Sequence, residues 1–383
     1  MAKRKDTRTM RDAQSAPATG LDRRQFLGTG IAAGGLLAAL GLSQYANAQA
    51  PGGSSPASAP PPGPRQLPPE PTVSQPPPLK DLKGKVAYIS AASDGIGLGI
   101  ARAASNAGMK VVIGYRNEER LKAALPLFKP DNAGVLPIKH DVTDRAGWKA
   151  LLEEVKSKYG KLHLVVNNAG VKTLQQASKA KYEEWDNAVA VNFTAIYNSV
   201  VTCLPHMLEH GEGGHFVTTA SMGGLLPGVN AGVYTSTKIA AVGLMEALRV
   251  ELERTNVGTS VFCPGLVSTE NYPAGQENPY HAAQAAKMGR PRGMGMPAVG
   301  MDPLEAGERV LNGVVNNDLF ILSHPEFKAG MQERFDAIMA STPAIETPIP
   351  EARIAYERVV TRCGIYEREI AHRKVKRKSY REV

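Results

Sequence analysis

Tyr234 and Lys238 are the residues of this sequence whose types and spacing most directly suggest proton-transfer chemistry. They lie four positions apart in a segment with a helical pattern, so both side chains project from one face of the helix. A phenol held there could donate a proton to a carbonyl oxygen, or remove one in the reverse direction. Because the pKa of free tyrosine is about 10, stabilising the phenolate near neutral pH requires roughly 4 kcal/mol, to which an adjacent ammonium would contribute. Taken alone, such a pair is more often a solvated feature of a helix surface.

A second candidate is the small-residue loop within residues 86–108, "VAYISAASDGIGLGIARAASNAG". An apolar run that predicts a strand precedes the loop, and a helical pattern follows it. A turn of this kind directs backbone N–H groups and a helix N-terminus toward a bound anion. Ala91, Ala92, Gly95 and Gly97 have little or no side chain to keep a pyrophosphate away from the backbone. Since small residues also suit an ordinary turn from strand to helix, this segment alone leaves both interpretations open.

The elements that must position these residues alternate along the chain from about residue 85 onward. Short continuous apolar runs are separated by longer helical patterns, which is typical of a parallel sheet with helices on both faces. The predicted strands are 85–90, 110–116, 135–142, 162–170, 214–221 and 258–265, and the predicted helices are 97–107, 117–128, 144–159, 183–209 and 232–255. The sequence therefore predicts a single α/β domain built on a doubly wound parallel sheet.

The loop "SAASDGIG" resembles the T-G-x-x-x-G-I-G motif of the short-chain dehydrogenase/reductase family, with Ser90 in place of Thr and Ala91 in place of the first Gly. Later signatures of the family follow in order within residues 84–325. They are "NNAG" at Asn167–Gly170, the Asn of "VNF" at Asn192, Ser221 in "TTASMGG", "YTSTK" at Tyr234–Lys238 and "PGLVST" at Pro264–Thr269. The resemblance implies a Rossmann-like fold and an oxidoreductase that uses NAD(P)(H) to interconvert a ketone or aldehyde and an alcohol.

Four catalytic residues are implied by this resemblance: Asn192, Ser221, Tyr234 and Lys238. Tyr234 would be the general acid and base, and Lys238 would also hold the nicotinamide ribose. Ser221 would orient the substrate oxygen, and Asn192 would hold a water that links Lys238 to a proton relay. Two alternatives stay open on the same fold: an epimerase or dehydratase, and a catalytically silent cofactor-binding sensor.

The choice between NAD and NADP depends on the end of the second predicted strand. Tyr115 stands where NAD-preferring relatives carry an Asp that hydrogen-bonds the ribose 2′-OH. Arg116 could instead bind a 2′-phosphate by a charge-assisted pair, although Asp94 stands where NADP-preferring members often carry a basic residue. NADP(H) is therefore the expected cofactor, and NAD(H) is the alternative. The cofactor contacts implied along the motifs are Ser90, Ala92, Ser93, Asp94, Gly95, Ile96, Gly97, Tyr115, Arg116, Asp141, Val142, Asn168, Ala169, Gly170, Tyr234, Lys238, Pro264, Gly265, Val267 and Thr269.

The substrate side is less specific in the sequence. Met222, Leu225 and Leu226 follow Ser221 and predict an apolar wall. Residues 270–300 are rich in Gly, Pro and Met and predict a mobile lid. We expect a small, largely apolar carbonyl compound or alcohol as the substrate, and a homodimer or homotetramer as the assembly.

Residues 1–48 resemble a twin-arginine export signal. Arg23-Arg24 precede Phe-Leu, an apolar run follows, and Ala46-Asn47-Ala48 has the small-x-small pattern of a cleavage site. The expected location is the periplasm. Because the apolar run approaches about 18 residues, an uncleaved anchor in the inner membrane is the alternative.

The rest of the chain divides into three predicted segments. Residues 49–80 predict a linker, since twelve prolines lie between positions 49 and 79 with few large apolar residues. The catalytic domain is predicted at 81–330, and a basic C-terminal extension at 331–383. The last 13 residues carry six Lys or Arg, which is typical of a solvated charge run. Weak contact with an acidic membrane surface is the alternative.

Charge and cysteine usage exclude two broad classes of function. The net charge is +9, but residues 1–50 carry +4, residues 351–383 carry +5, and the 300 residues between them are neutral. The body of the protein therefore does not favour nucleic acid as a partner. The three cysteines, Cys203, Cys263 and Cys363, are widely spaced without a nearby histidine cluster, which argues against a metal site or a disulfide framework.

Overall fold

The computed structural model describes residues 70–128, 134–269, 300–344, 348–361, 364–375 and 377–382. The predicted export signal, residues 49–69 of the predicted linker and residues 270–299 of the predicted lid lie outside these ranges. By its own contacts the chain divides into two units. One is Met1–Gln66, which lies outside the described residues, and the other is Leu67–Val383.

Within the described residues, seven parallel strands form one sheet. They are β1 (Val86–Ile89), β2 (Lys110–Tyr115), β3 (Val135–Lys139), β4 (Leu164–Asn167), β5 (Gly214–Thr219), β6 (Val257–Cys263) and β7 (Phe320–Leu322). Their order is β3-β2-β1-β4-β5-β6-β7, so the winding reverses between β1 and β4. The predicted doubly wound, Rossmann-like sheet is confirmed, and a cleft is expected at this reversal, at the carboxyl ends of the strands.

Helices cover both faces of the sheet. They are α1 (Gly95–Asn106), α2 (Glu118–Ala124), α3 (Arg145–Tyr159), α4 (Tyr182–Val189), α5 (Ala195–His210), α6 (Gly232–Leu252), α7 (Pro303–Asn316), α8 (Lys328–Ala340), α9 (Glu351–Val360) and α10 (Gly364–Arg373). Alternate strand residues separate two cores, because successive side chains of a strand point to opposite faces. Tyr88 and Val165 pack in one core with Trp148, whereas Ile89 and Val166 pack in the other.

β7 and α7 were not predicted from the sequence. β7 has only three residues, too few for a clear apolar run. α7 is fixed against α1 by close backbone contact, since a Cβ on Gly99 would overlap the carbonyl oxygen of Pro303. A Cβ on Gly307 would in turn overlap the carbonyl oxygen of Gly99. The two helices therefore cross at glycine, which fixes the start of α7 beside the loop after β1.

α4 and α5 are joined by a π-helical turn, Ala190–Thr194, and form one continuous helix. This helix, Tyr182–His210, is long and apolar enough to cross a membrane by length and composition. Half of its most apolar window is buried inside the protein, and residues such as Cys203 and Met207 lie in the core. The helix Tyr182–His210 is therefore a core helix of the α/β fold.

The structured region extends N-terminal to the predicted domain boundary at residue 81. Gln75 and Leu79 are buried. The side-chain amide of Gln75 lies within hydrogen-bond distance of the carbonyl oxygens of Leu252 and Val257, at 3.0 and 3.1 Å. The end of the predicted linker thus packs at the amino-terminal edge of the sheet.

The basic C-terminal extension also folds against the domain. Arg373 and Arg377 both pair with Asp318, whose side chain is buried. Arg381 pairs with Glu308 on α7. These arginines pair with carboxylates of the protein itself, and contact of the extension with an acidic surface stays a prediction.

Candidate active site

Ser221, Tyr234 and Lys238 meet at the carboxyl edge of the sheet. Ser221 follows β5 and caps a short 3₁₀ turn, its Oγ accepting a hydrogen bond from the N–H of Gly223 at 3.0 Å. Tyr234 and Lys238 lie in the first two turns of α6, on the face that packs on this turn. The Nζ of Lys238 lies 5.7 Å from the centroid of the Tyr234 ring. The structure therefore brings together Tyr234 and Lys238, predicted from their spacing, and Ser221, implied by the family resemblance.

Burial sets the protonation states of this group. It raises the pKa of Tyr234, and the hydrogen bond with Ser221 offsets part of that rise. It lowers the pKa of Lys238 to about 8, while Nζ donates a hydrogen bond to the carbonyl oxygen of Thr219 at 2.8 Å. At neutral pH the phenol is protonated and beside a cationic lysine, which makes Tyr234 a proton donor in this state.

Asn192 lies in the π-helical turn, and its amide is engaged by the protein. Its Nδ2 donates to the carbonyl oxygen of Val171 and to Oγ1 of Thr237, both at 3.0 Å, and its Oδ1 accepts from the N–H of Val171 at 2.8 Å. A Cβ on Gly170 would lie 3.4 Å from this Oδ1 and 3.5 Å from Nζ of Lys238. Asn192 therefore shapes the space beside Lys238 through the loop after β4, and only the second lone pair of Oδ1 is left for the predicted water.

The loop after β1 is held tightly to the loop after β4. Ser90 Oγ accepts hydrogen bonds from the N–H groups of Asn168 and Ala169, at 2.8 and 2.9 Å. A Cβ on Gly97 would lie 2.5 Å from both the carbonyl oxygen of Ala91 and Nδ2 of Asn168. Glycine is thus required at position 97 because the two loops meet there, and Ser90 connects the loops.

One predicted contact in this loop differs from the structure, and one residue that was not predicted lines the cleft. Ala92 is fully buried, and its N–H donates to the carbonyl oxygen of Gly114 at 2.9 Å, so it faces the core and not the cleft. Ala91, which was not predicted as a contact, is exposed and lines the cleft with φ of +50°. The left-handed backbone at Ala91 turns its neighbour inward.

A cleft of about 480 Å³ opens at the point where the strand order reverses. Its lining includes the predicted residues Ser93, Asp94, Tyr115, Arg116, Val142, Ala169 and Gly170, together with Ala91, Asn117, Arg120, His140, Val171 and Val191. The last five of these carried no signal in the sequence. Asn117 and Arg120 reach the cleft from the start of α2, and His140 reaches it from the end of β3. Val171 reaches it from the loop after β4, and Val191 from the π-helical turn.

Two arginines enter the cleft already paired with carboxylates. Arg116 lies 3.2 Å from Asp141, and Arg120 lies 3.3 Å from Asp94. The carboxylate of Asp141 also accepts hydrogen bonds from the N–H and the hydroxyl of Thr143. The contacts with Thr143 and with Arg116 lower the pKa of Asp141. Asp94 accepts from the N–H of Gly95 at 2.8 Å and caps α1. The negative charges of Asp94 and Asp141 are therefore balanced by arginines of the protein itself.

The segment Pro264–Thr269 lies beside the glycine loop, where Ser268 and Thr269 line a second, smaller pocket with Asp94 and Gly95. Thr269 lies against the glycine loop, 3.2 Å from the position of a Cβ on Gly95. Val267 is buried in the core and forms a parallel bridge with Met301, so it supports the segment from behind.

The predicted apolar wall is present only in part. Leu225 and Leu226 are half-buried, and Leu226 lies 3.2 Å from the position of a Cβ on Gly330 in α8. Met222 is instead buried in the core, because its N–H donates to the carbonyl oxygen of Pro264 at 2.9 Å and turns the residue inward. Met222 was predicted to line the substrate pocket, but in the fold it lies in the core.

Cys203 and Cys263 are buried free thiols. Burial raises the pKa of each to about 12, so both are inert, as the sequence indicates. Cys363 lies outside the described residues.

Comparison with known proteins identifies the family of this chain. Residues 85–278 match a family model described as short chain dehydrogenase. A C alpha-dehydrogenase of Sphingobium sp. strain SYK-6 is 29% identical over 280 residues, which cover 72% of this chain and 92% of that protein. A solved short-chain dehydrogenase of Novosphingobium aromaticivorans is 31% identical with a TM-score of 0.63, covering 77% of this chain and 99% of that one. A short-chain dehydrogenase/reductase of Burkholderia phymatum, solved in complex with NAD, is 26% identical with a TM-score of 0.60, covering 70% of this chain and 99% of its own. This chain belongs to the short-chain dehydrogenase/reductase family and is an oxidoreductase.

Proposed function

We propose that the protein interconverts an apolar ketone or aldehyde and the corresponding alcohol, with NADP(H) as the preferred cofactor and Tyr234 as general acid and base. The observation that carries this proposal is the group of buried Lys238 and partly buried Tyr234 and Ser221, which lies beside Gly170 of the cleft. Purified protein incubated with reduced or oxidised cofactor and a panel of ketones and alcohols tests it. Net oxidation or reduction of the cofactor supports the proposal.

The residues present fit a nicotinamide dinucleotide. The cleft lies at the switch point of the sheet, where this fold binds NAD(P). His140 lines the cleft, and its buried Nε2 has no hydrogen-bond partner among the described residues. Asp94, the cap of α1, lines the cleft, and glycine at position 170 adds no side chain beside Lys238.

The chain's own residues would handle the proton. When bound, the nicotinamide ring would supply or accept the hydride. In the direction of reduction, the protonated phenol of Tyr234 would donate its proton to the carbonyl oxygen, which Ser221 would orient by a hydrogen bond. Lys238, cationic and 5.7 Å from the ring, would stabilise the phenolate that results. In the direction of oxidation, the same phenolate would remove the proton of the alcohol.

Preference for NADP is supported by the charge at the cleft. Arg116 and Arg120 both line it, while an acid that would reject a 2′-phosphate is missing at Tyr115. Asp94, the residue that argued for NAD in the sequence, is neutralised by Arg120. NAD(H) is the alternative, since the Burkholderia phymatum relative was solved with NAD. Turnover measured with both cofactors decides between them.

The apolar character of the substrate is supported by the side chains around the catalytic group. Leu225, Phe327 and Met331 are half-buried and pack against the core beside Met222. One relative is named a C alpha-dehydrogenase, which fits oxidation of an alcohol. An epimerase or dehydratase would yield product without net change in the cofactor, and a sensor would bind the cofactor without product.

Export through a twin-arginine route is proposed from residues 1–48, because an enzyme that folds around a cytoplasmic cofactor needs a route for folded proteins. Periplasmic location is the main form of the proposal, and an uncleaved inner-membrane anchor is its alternative. Fractionation of cells that express the full chain tests it, with the Arg23→Lys/Arg24→Lys variant as control. Wild-type protein confined to the cytoplasm would contradict export.

A homodimer through α5 and α6 is supported by exposed apolar side chains. Tyr197, Val201 and Leu208 on α5 and Ile239 on α6 are more than one third exposed. The buried residues of both helices pack in the same core, so the two helices lie on one face of the sheet. Light scattering of the wild type and of a Val201→Glu variant tests this, because a charge in an apolar interface would dissociate the dimer.

A further inference from the structure

The segment Pro264–Thr269 is held from two sides by protein groups distant in sequence. On one side, the N–H of Ser268 donates to the carbonyl oxygen of Met301, and the N–H of Met301 donates to the carbonyl oxygen of Leu266, both at 2.9 Å. On the other side lies His324, two residues after the end of β7. No motif in the sequence had singled out His324. Its contacts fall on the two residues that begin the turn, Gly265 and Leu266.

The imidazole of His324 binds two consecutive main-chain groups. Its Nδ1 accepts a hydrogen bond from the N–H of Gly265 at 2.9 Å, and Nε2 lies 2.9 Å from the carbonyl oxygen of Leu266. Since a backbone N–H can only donate and a carbonyl can only accept, the hydrogen bonds assign the proton to Nε2. The hydroxyl of Ser323 lies 2.8 Å from Nδ1 and can donate to the same lone pair. The ring is buried, with 8% of its surface exposed, so water does not compete for these contacts.

The same ring also limits how the backbone of Gly265 can move. A Cβ on Gly265 would lie 2.7 Å from Cε2 of Phe327 and 2.8 Å from Cγ of His324. The main chain at position 265 therefore rests on two aromatic rings, and only glycine allows this approach. Phe327 and Met331 are half-buried and pack against the same core as Leu225. The corner between β7 and α8 thus supports the cofactor segment.

We propose that His324 is a positioning residue that holds the segment Pro264–Thr269 in the shape that binds the nicotinamide half of the cofactor. The inference rests on the proposed function. His324 touches neither cofactor nor substrate, and acts through the N–H of Gly265 and the carbonyl oxygen of Leu266. Without these two contacts the segment keeps its support from Met301 and loses the support at its start.

Three substitutions separate the two hydrogen bonds from the volume of the ring. His324→Phe keeps an aromatic ring and removes both bonds. His324→Asn places an amide oxygen near the position of Nδ1 and keeps an acceptor for Gly265. His324→Gln places an amide near Nε2 and keeps a donor for Leu266. His163→Asn is the matched control, because His163 is also buried and accepts a backbone N–H, that of Val86 at 3.2 Å, but lies at the opposite edge of the sheet.

The measurements are the dissociation constants for NADPH and NADH, followed by the fluorescence of the bound dihydronicotinamide, together with KM, kcat and the melting temperature. We expect His324→Phe to weaken cofactor binding and raise the cofactor KM at least tenfold, with a smaller change in kcat. His324→Asn should recover part of the loss, and His163→Asn should lower the melting temperature without changing KM. Unchanged cofactor binding in His324→Phe, or equal losses in His324→Phe and His324→Asn that follow melting temperature alone, would overturn the positioning role. If the wild type binds neither cofactor, the proposed function itself fails and this inference fails with it.

Discussion

Arg120 and Asp94 form an ion pair of 3.3 Å across the mouth of the cleft, between the first turn of α2 and the cap of α1. Both side chains are less than one quarter exposed, so the pair is partly shielded from solvent. Its effect is to cancel an acid that would otherwise repel a phosphate at this end of the site. If NADP is the preferred cofactor, as proposed, the ion pair would link that preference to a residue of α2 that lies 26 positions away in the sequence.

Replacing Arg120 with Leu should lower kcat/KM for NADPH at least tenfold and leave that for NADH nearly unchanged. The change removes a cation that a 2′-phosphate would meet and exposes the charge of Asp94, and a tenfold loss corresponds to about 1.4 kcal/mol. Steady-state kinetics with both cofactors measures it. Lys122→Leu is the control, since Lys122 lies on the same helix and pairs with Glu119 on the exposed surface. Equal losses with both cofactors would contradict a role in recognising the phosphate.

Replacing Ala91 with Gly should stabilise the protein by about 1 kcal/mol and strengthen cofactor binding. Ala91 has φ of +50°, a conformation that costs a residue with a Cβ roughly 1–2 kcal/mol, which outweighs the added entropy of glycine in the unfolded chain. Its methyl group also lies at the cleft. Urea unfolding and NADPH titration measure the two effects. Asn230→Gly is the control, because Asn230 has φ of +53° and asparagine tolerates this region better; a larger gain there would argue against strain at Ala91.

Replacing Tyr234 with Phe should reduce turnover by a factor of about 10² or more while cofactor affinity stays within a few fold. The substitution removes only the hydroxyl that exchanges the proton, and general acid–base catalysis contributes on this order. Kinetics and NADPH fluorescence titration measure the two quantities. Tyr182→Phe, at a residue that is 86% exposed, should behave like the wild type. Turnover at the wild-type rate in Tyr234→Phe would refute the mechanism.

Local patterns predicted those parts of the site that depend on short spacing. The four-residue spacing of Tyr234 and Lys238 predicts that they share a helix face. Parallel strands bring Ser221 and the loop after β1 to one edge of the sheet, so the sequence also predicts that these two lie close together. The sequence was not enough for Arg120 or His324, whose roles depend on which loops meet across the sheet. Ala92 was misassigned because the left-handed turn at the residue before it decides which methyl group faces the core.

The stability of the protein should fall as the pH drops from about 6.5 toward 4, because of a histidine cluster at the amino-terminal edge of the sheet. Nδ1 of His163 accepts the N–H of Val86, and burial lowers the pKa of His163 to about 4, although Nε2 lies 3.1 Å from Glu212. Lys85, His210 and Lys161 also face this group, and Lys85 and His210 lower the pKa of His163 further. In the unfolded chain His163 binds a proton near pH 6.5, whereas in the folded chain it stays neutral until about pH 4. The free energy of unfolding is therefore highest above pH 6.5 and falls below it, by up to about 3 kcal/mol. Urea unfolding between pH 4 and 8 measures this loss, and His163→Asn should flatten the profile; an unchanged profile in that variant would assign the acid sensitivity to other groups.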